Sequence, residues 1–422
     1  MGVTGSAACS LAVVGWLGFG AYQVEQAVWD AAPLSPRTDT VATVELLTSG
    51  FRPPVTLATA GEREADTGRR ITSAPEEEKH MSKVLDVAPS KNISTVVGAL
   101  HAMLQRAGQS QWTTDRLQGM LGNAFSFEMR TGAGEVWQEA NLDYEGGFFE
   151  MLPELGYRIR RFDAVQKDKD GDFQGLKADA WDAVRASIDR GVPAVAWSPM
   201  SVEQKAAGLT AHVWGLLVGY DEAEETYTVQ HDYVNGGQDT FDVRYDAIGH
   251  TDSAEWFCVL VYEKPEPSDG RDAHLRALRN AVAFANGTRF PKDSNYHVDA
   301  RGFASYELWR DAVESGVAAP KHSQYHAFEL KVLRGHAAAY LRELVDIFPA
   351  VATDLEESAA HYDRLVETSA GLHDYCGEYR DAEVFPADTG AEAATMVTAA
   401  LQAERDAVAS IEAALAALDE SR

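Results

Sequence analysis

The sequence predicts an α+β domain with an antiparallel sheet, followed by an all-α helical domain. Two observations lead to this fold class. Between residues 83 and 264, helical segments come first and are followed by four strand-like runs separated by turn residues, an order typical of α+β folds. After residue 270, every regular segment has the spacing of apolar residues that a helix requires.

The first 82 residues are predicted to be a disordered extension or upstream sequence that is not part of the natural protein. Ser6–Val24 is apolar but lacks the preceding Lys or Arg of a signal peptide, and it is barely long enough to span a membrane. Residues 31–80 are polar without periodicity, which is typical of disorder. Because codons for Glu76–Glu78 can form a ribosome-binding site, translation is expected to start at Met1 or at Met81.

The segment 83–264 carries the α+β pattern. An apolar helix is predicted over 95–107 and a second over 113–121, capped by Thr113 or Thr114, while Gly191 ends a third, amphipathic helix. A further helix is predicted over 145–156. Strands are predicted within "GNAFSFEMR", "YRIRRF", "VPAVAWS", "HVWGLLVGYD", "TYTVQHDY" and "WFCVLVYEK". The last four are expected to form an antiparallel meander, since the runs "DEAEE" and "NGGQD" supply turn residues.

The predicted linker 265–270 separates this domain from a helical domain over 271–420. The linker combines proline with small polar residues. Helices are predicted over 271–286, 303–315, 322–347, 351–376 and 390–419. Their apolar stripes are expected to form the core of a bundle, and polar residues such as Arg334 and His361 are expected to pack or to form ion pairs.

Charge and cysteine content exclude several classes of function. The 37 Lys and Arg residues are outnumbered by 65 Asp and Glu residues, giving a formal charge of −28, which argues against nucleic acid as a partner. Such acidity is typical of a salt-loving source organism or of an ordinary acidic protein. Cys9, Cys258 and Cys376 are too few and too widely spaced to predict disulfides or a zinc site. Neither a metal nor a cofactor is expected.

A candidate catalytic pair lies on two consecutive strands. His212 opens one predicted strand and Asp232 ends the next. If the two strands form a hairpin, these residues meet at one edge of the sheet, where an acid beside an imidazole fixes its tautomer. His231 is the weaker candidate because successive side chains on a strand point to opposite faces.

The start of the first helix completes a resemblance to a known family. A helix that begins at the nucleophile, a histidine that opens a strand ending in "GYD", and an acid on the next strand resemble the papain-like fold of C39-type peptidases. When the helix is aligned on its closing Gly108, the family's cysteine position falls on Thr95 and the preceding aspartate falls on Ser94. The histidine and aspartate positions fall on His212 and Asp232.

The segment 84–420 more closely resembles the group related to the N-terminal domain of the butirosin-biosynthesis H protein. The matching pieces include "GNAFSFEM", "DRGVPAVAW", "VWGLLVGYD" and "LRGHAAAYLREL". The resemblance implies an acyltransferase or an amide or peptide hydrolase that works through a thiol. No cysteine lies in or near the first helix, however, and thiolate is the reactive species in such enzymes.

Two functions therefore stay open. The first is acyl transfer or amide hydrolysis with Thr95 or Ser94 as the nucleophile, His212 and Asp232 as its partners, and Asn92 near the oxyanion. The second is a non-catalytic module that binds a peptide, an amine or an acyl carrier. In both, Trp214, Trp197 and Tyr220 are candidates to line the ligand pocket. The protein is expected to be cytoplasmic, without stable membrane insertion.

Overall fold

The computed structural model describes residues 81–132, 135–138, 148–165, 172–209, 213–231, 240–251, 255–266, 270–289, 299–386 and 388–420. The chain divides into two compact units, Met1–Met81 and Ser82–Arg422. The predictions for residues 1–80, and for linker residues 267–269, lie outside the described residues. All that follows concerns the second unit.

The second unit contains a sheet region followed by five long or medium helices. Its helices are α1 Thr95–Arg106, α2 Thr114–Met120, α3 Phe149–Met151, α4 Phe173–Asp189, α5 Val202–Ala206, α6 Gly270–Ala285, α7 Phe303–Glu314, α8 Pro320–Ile347, α9 Ala352–Glu378 and α10 Thr389–Glu420. Its strands are β1 Ser82–Val84, β2 Glu128–Gly132, β3 Glu135–Gln138, β4 Tyr157–Val165, β5 Ala194–Trp197, β6 Trp214–Asp221, β7 Thr226–Gln230, β8 Phe241–Arg244, β9 Trp256–Pro265 and β10 Ala300–Arg301. The α+β region followed by an all-helical region is confirmed.

The strand order differs from the predicted meander in the place of β9 and in the presence of β8, an unpredicted strand that pairs with β7. Within the described residues, the main sheet has the order β4-β9-β5-β6-β7-β8, with β1 paired to the end of β6, and all its pairings are antiparallel. The succession β5, β6, β7 is as predicted, whereas β9 inserts between β4 and β5. The reason is that Phe257–Tyr262 are buried without interruption, so this strand needs a neighbour on each side and cover on both faces.

Two other expectations are corrected. The predicted strand "GNAFSFEMR" is a strand only from Glu128, and it belongs to a separate small sheet with the order β10-β2-β3. The helix expected over 145–156 is only one α-helical turn and a 3₁₀ turn over 153–155, within the described residues. Pro153 has no N–H to continue the α-helix, so the chain tightens there instead.

Helices cover both faces of the main sheet. Trp214, Leu216 and Leu260 point toward α1, which runs along the first face, called here the α1 face. Leu217 and Val259 point to the opposite face, which α4 covers, called here the α4 face. Because side chains of a strand alternate between faces, the central strands are apolar throughout.

The helical region begins and ends its helices close to the predicted positions, and it packs on the sheet region through one continuous core. The core cluster extends from Val96 in α1 to Leu418 in α10. At its centre, the Arg334 Nε donates to Glu404 Oε2 at 2.6 Å, and both side chains are almost fully buried. Arg334 also donates to the carbonyl oxygen of Ala124 at 2.7 Å, which ties α8 to the sheet region. The division at 265–270 stays a prediction.

None of the described helices combines the length and apolar composition that a membrane span requires.

Candidate functional site

The site is built around the start of α1. The segment that precedes this helix crosses over it at Ser90. The N–H of Ser90 donates to the carbonyl oxygen of Gly98 at 3.1 Å. A Cβ at Gly98 would overlap the carbonyl oxygen of Ser90, so only glycine allows this approach. Ser94 is the N-cap residue, but its side chain makes no capping bond; its own N–H donates to Asn92 Oδ1 at 3.0 Å.

Thr95, the first residue of α1, contacts the sheet directly. Its Oγ1 accepts a hydrogen bond from the N–H of Trp214 at 3.0 Å. The carbonyl oxygen of Val213, in the same peptide unit, accepts from the N–H of Ser198 at 2.8 Å. The peptide unit that opens β6 is therefore held from both sides, by the helix and by the end of β5.

Ser198 adopts a strained backbone conformation at this position. Its φ is +39° although it is not glycine, and it lies fully buried before Pro199. Its Oγ lies 2.7 Å from Thr251 Oγ1. Backbone strain of this kind persists only where the surrounding contacts fix it, and it is concentrated at functional sites.

A chain of three side-chain amides supports the start of α1. Since the N–H of Ser94 can only donate, Asn92 Oδ1 must accept. Gln118 Nε2 then donates to Asn92 Oδ1, and Asn123 Nδ2 donates to Gln118 Oε1, each at 2.5 Å. Sequence reasoning missed Gln118 and Asn123, because only the packing of α2 against α1 brings them near Asn92.

Three tryptophans form an aromatic wall on the α1 face. The ring centroids of Trp197, Trp214 and Trp256 lie 5.4–5.7 Å apart. Trp214 is buried, whereas Trp197 and Trp256 are half-buried. The Trp256 indole N–H donates to Asp163 Oδ1 at 2.5 Å, which places a carboxylate beside the wall. Trp256 and Asp163 were not among the predicted site residues.

Tyr220, the third predicted aromatic, lies on the α4 face and does not join the wall. Its hydroxyl donates to Asp189 Oδ1 at 2.9 Å, and its ring packs edge-on against Trp181. Burial, together with this hydrogen bond, raises the pKa of Tyr220. The structure therefore brings Thr95, Trp214 and Trp197 together and separates Tyr220 from them.

A serine–histidine pair that the sequence did not indicate joins the segment before α1 to the helix itself. Ser90 Oγ is 2.6 Å from His101 Nδ1. Gln105 Nε2 donates to the carbonyl oxygen of Trp112 and lies 3.3 Å from His101 Nε2, so that ring nitrogen accepts and Nδ1 carries the proton. Burial lowers the pKa of His101, which keeps the ring neutral. The imidazole thus donates to Ser90 and is not placed to take its proton.

The predicted partners His212 and Asp232 lie outside the described residues, while the hairpin that motivated them is present. Strands β6 and β7 pair antiparallel from Leu216 opposite Gln230 to Asp221 opposite Thr226. His231 is fully buried beside Gly215, and burial lowers its pKa to about 4, so it is neutral at physiological pH.

The described cysteines provide no reactive thiol. Cys258 and Cys376 are both completely buried. Burial raises the pKa of the Cys258 thiol well above its usual range and that of Cys376 to about 12, so neither forms a thiolate near neutral pH. Over the same described ranges, no group of three or more His, Cys, Asp or Glu side chains could hold a metal ion.

Comparison with family models and with curated proteins gave no match to the chain. The functional interpretation therefore depends on the geometry around Thr95 and the tryptophan wall.

Proposed function

We propose that the chain is a papain-like-fold protein of the acyl-transfer and amide-hydrolysis type whose nucleophile position has become a structural contact. In this proposal the protein binds a peptide, an amine or an acyl-carrier partner without turnover. The observation that carries the proposal is the hydrogen bond from the Trp214 N–H to Thr95 Oγ1.

That hydrogen bond suits a structural role better than a nucleophilic one. A nucleophile needs an oxygen lone pair directed at the substrate, and accepting an N–H withdraws electron density from that oxygen. The β-methyl group of threonine also restricts rotation about χ1, so Thr95 cannot readily turn toward a ligand. Thr95 instead holds the first residue of β6 against α1.

The tryptophan wall supports a retained binding surface. Trp197 and Trp256 are half-buried, and Asp163, which also lies 3.6 Å from Arg161 Nε, places a carboxylate beside Trp256. Ligand sites typically combine aromatic walls with a few oriented polar groups.

The alternative is acyl transfer through the hydroxyl of Thr95 or Ser94, assisted by His212 and Asp232. The β6–β7 hairpin favours it, because the strands that adjoin these two residues in sequence are neighbours. The side chain of Ser94 makes no capping bond, so its hydroxyl is not committed to the helix.

The two functions differ in their response to substitution. We would assay wild type, Thr95→Ala, Ser94→Ala and His212→Ala for turnover on a panel of acyl thioesters and amides, and measure ligand binding by calorimetry. The proposal expects no turnover in any of the four proteins and weakened binding in Trp197→Ala. Turnover by the wild type that is lost in His212→Ala and in either hydroxyl variant would establish the enzymatic alternative.

A further inference from the structure

The outer strand of the sheet, β4, carries a group of arginines in a strongly acidic chain. Strand β4 pairs with β9 along its whole length and begins the strand order of the described sheet. Arg158, Arg160 and Arg161 follow one another within four residues and are all exposed. With a formal charge of −28 on the chain, this strand is a local site of opposite charge.

The arginines are held in position by aromatic rings. The guanidinium of Arg160 lies 4.3 Å from the centroid of Phe162, and that of Arg161 lies 4.2 Å from the centroid of Phe149. Phe162 belongs to the core of the α4 face, whereas Phe149 packs against that of the α1 face. Two neighbouring arginines are thus fixed on opposite faces of the same strand.

The two edges of the sheet differ in one arginine. On β4, Arg158 Nε lies 3.0 Å from Glu263 Oε2 and Arg161 Nε lies 3.6 Å from Asp163 Oδ2, whereas Arg160 makes no ion pair within the described residues. On the opposite edge, Arg244 of β8 donates to Glu225 at 3.0 Å and pairs with Asp246 at 3.1 Å, so its charge is balanced within the chain. Charged side chains on an edge strand often only prevent aggregation. Such protection does not require guanidinium groups to be fixed on rings, and it usually accompanies short edge strands, whereas β4 has nine residues.

We propose that β4 is a docking edge for an extended acidic peptide segment of a partner protein, which adds a further strand to the sheet. Within the described residues β4 has a neighbouring strand on one side only, so the backbone groups of its other side supply the strand pairing, and the arginines supply charge-assisted hydrogen bonds to carboxylates. Fixed guanidinium groups lose little conformational entropy on binding.

The positions of the arginines specify the pattern of the partner. Because Arg160 and Arg161 point to opposite faces, an added strand must present carboxylates on both of its faces. Consecutive acidic residues satisfy this requirement, whereas acidic residues at alternate positions place every carboxylate on one face. The edge is therefore expected to select a run of acidic residues over an alternating sequence.

The test uses the full chain and fluorescein-labelled peptides, with binding measured by fluorescence anisotropy at low salt. One peptide has consecutive glutamates, a second alternates glutamate with serine at the same number of glutamates, and a third interrupts the glutamate run with prolines, which cannot pair as a strand. Arg160→Gln/Arg161→Gln is compared with Arg244→Gln on the opposite edge, and circular dichroism checks that each variant is folded.

We expect the consecutive peptide to bind most tightly, and the double variant to weaken its binding at least about tenfold while Arg244→Gln has little effect. Thr95→Ala should leave this binding unchanged, which separates the edge from the proposed cleft. Equal binding of all three peptides, no binding of the consecutive peptide, or undiminished binding by the folded double variant would each overturn the proposal.

Discussion

The helical core and the start of α1 satisfy their buried polar groups in opposite ways. In the helical core, the Glu404 carboxylate accepts from Arg334 and from the hydroxyl of Tyr306, so two opposite charges compensate each other. At the start of α1, the contacts are neutral and directional, and the chain of amides ends at Asn123 Oδ1, which has no hydrogen-bond partner among the described residues. The closed network serves to join elements, whereas the open one leaves a buried acceptor without a partner within the described residues.

The largest loss of stability is expected when one partner of the buried Arg334–Glu404 ion pair, the closed network, is removed. Glu404→Ala leaves the Arg334 charge buried without its counter-ion, and we expect the free energy of unfolding to fall by about 3–5 kcal/mol. Urea denaturation would measure this. The double variant Arg334→Met/Glu404→Leu, which removes both charges, should recover most of the loss. A loss below about 1 kcal/mol in Glu404→Ala would mean that the pair is not isolated from solvent.

A smaller loss of stability is expected from a substitution at Gly98, where the segment before α1 crosses the helix. Gly98→Ala forces the carbonyl oxygen of Ser90 away from the helix and should cost about 2–3 kcal/mol of unfolding free energy. Gly335→Ala in α8 is the matched control, since nothing lies within 4 Å of an added Cβ there, and it should be neutral or stabilising by up to about 1 kcal/mol. Equal behaviour of the two variants would contradict the close crossing.

The hydrogen bond between Thr95 and β6 is expected to contribute less to the free energy of unfolding than the close approach at Gly98. Thr95→Val keeps the shape but leaves the Trp214 N–H without its acceptor, at a cost of about 1–2 kcal/mol. Thr95→Ser keeps the acceptor and should lie within about 1 kcal/mol of the wild type. Thermal unfolding of the pair tests the structural role, and a Val variant as stable as the Ser variant would argue against it.

Near neutral pH, the smallest effect on the free energy of unfolding is expected from the buried histidines. Burial lowers the pKa of both His231 and His274 to about 4, below the ordinary value of 6.5. Between these values the unfolded chain binds the protons and the folded chain does not, so stability is lost as the pH falls from 6.5 toward 4. His274→Gln should flatten this slope by about 1.4 kcal/mol per pH unit, as measured by urea denaturation across the range. An unchanged slope would show that His274 is protonated in the folded state.

The helices could be predicted from the sequence because their signals are local. The bounds of α8 and α9 follow from apolar spacing, and both lie within two residues of the expected positions. The insertion of β9 between β4 and β5 depends on pairing between distant segments, which no local pattern encodes. The same holds for Gln118, which meets Asn92 only after α2 packs on α1.

Tyr220 illustrates a different limit of sequence reasoning. Strict alternation along β6 places Tyr220 on the same face as Trp214, which made it a plausible neighbour of the predicted pocket. A β-bulge between Leu217 and Gly219 inserts one extra residue, so that Val218 remains on the α1 face while Tyr220 lies on the other. A single bulge therefore changes which residues can share a site.

The hydrogen bonds that hold the Val213–Trp214 peptide unit also restrict how this chain could acquire a thiol at position 95. Sulfur is a weak hydrogen-bond acceptor, so Thr95→Cys would supply a nucleophile and at the same moment loosen the attachment of β6 to α1. A lineage that moved from threonine to cysteine at this position would first need another acceptor for the Trp214 N–H. The structural contact thus makes cysteine difficult to introduce at this position, whereas serine keeps the acceptor oxygen.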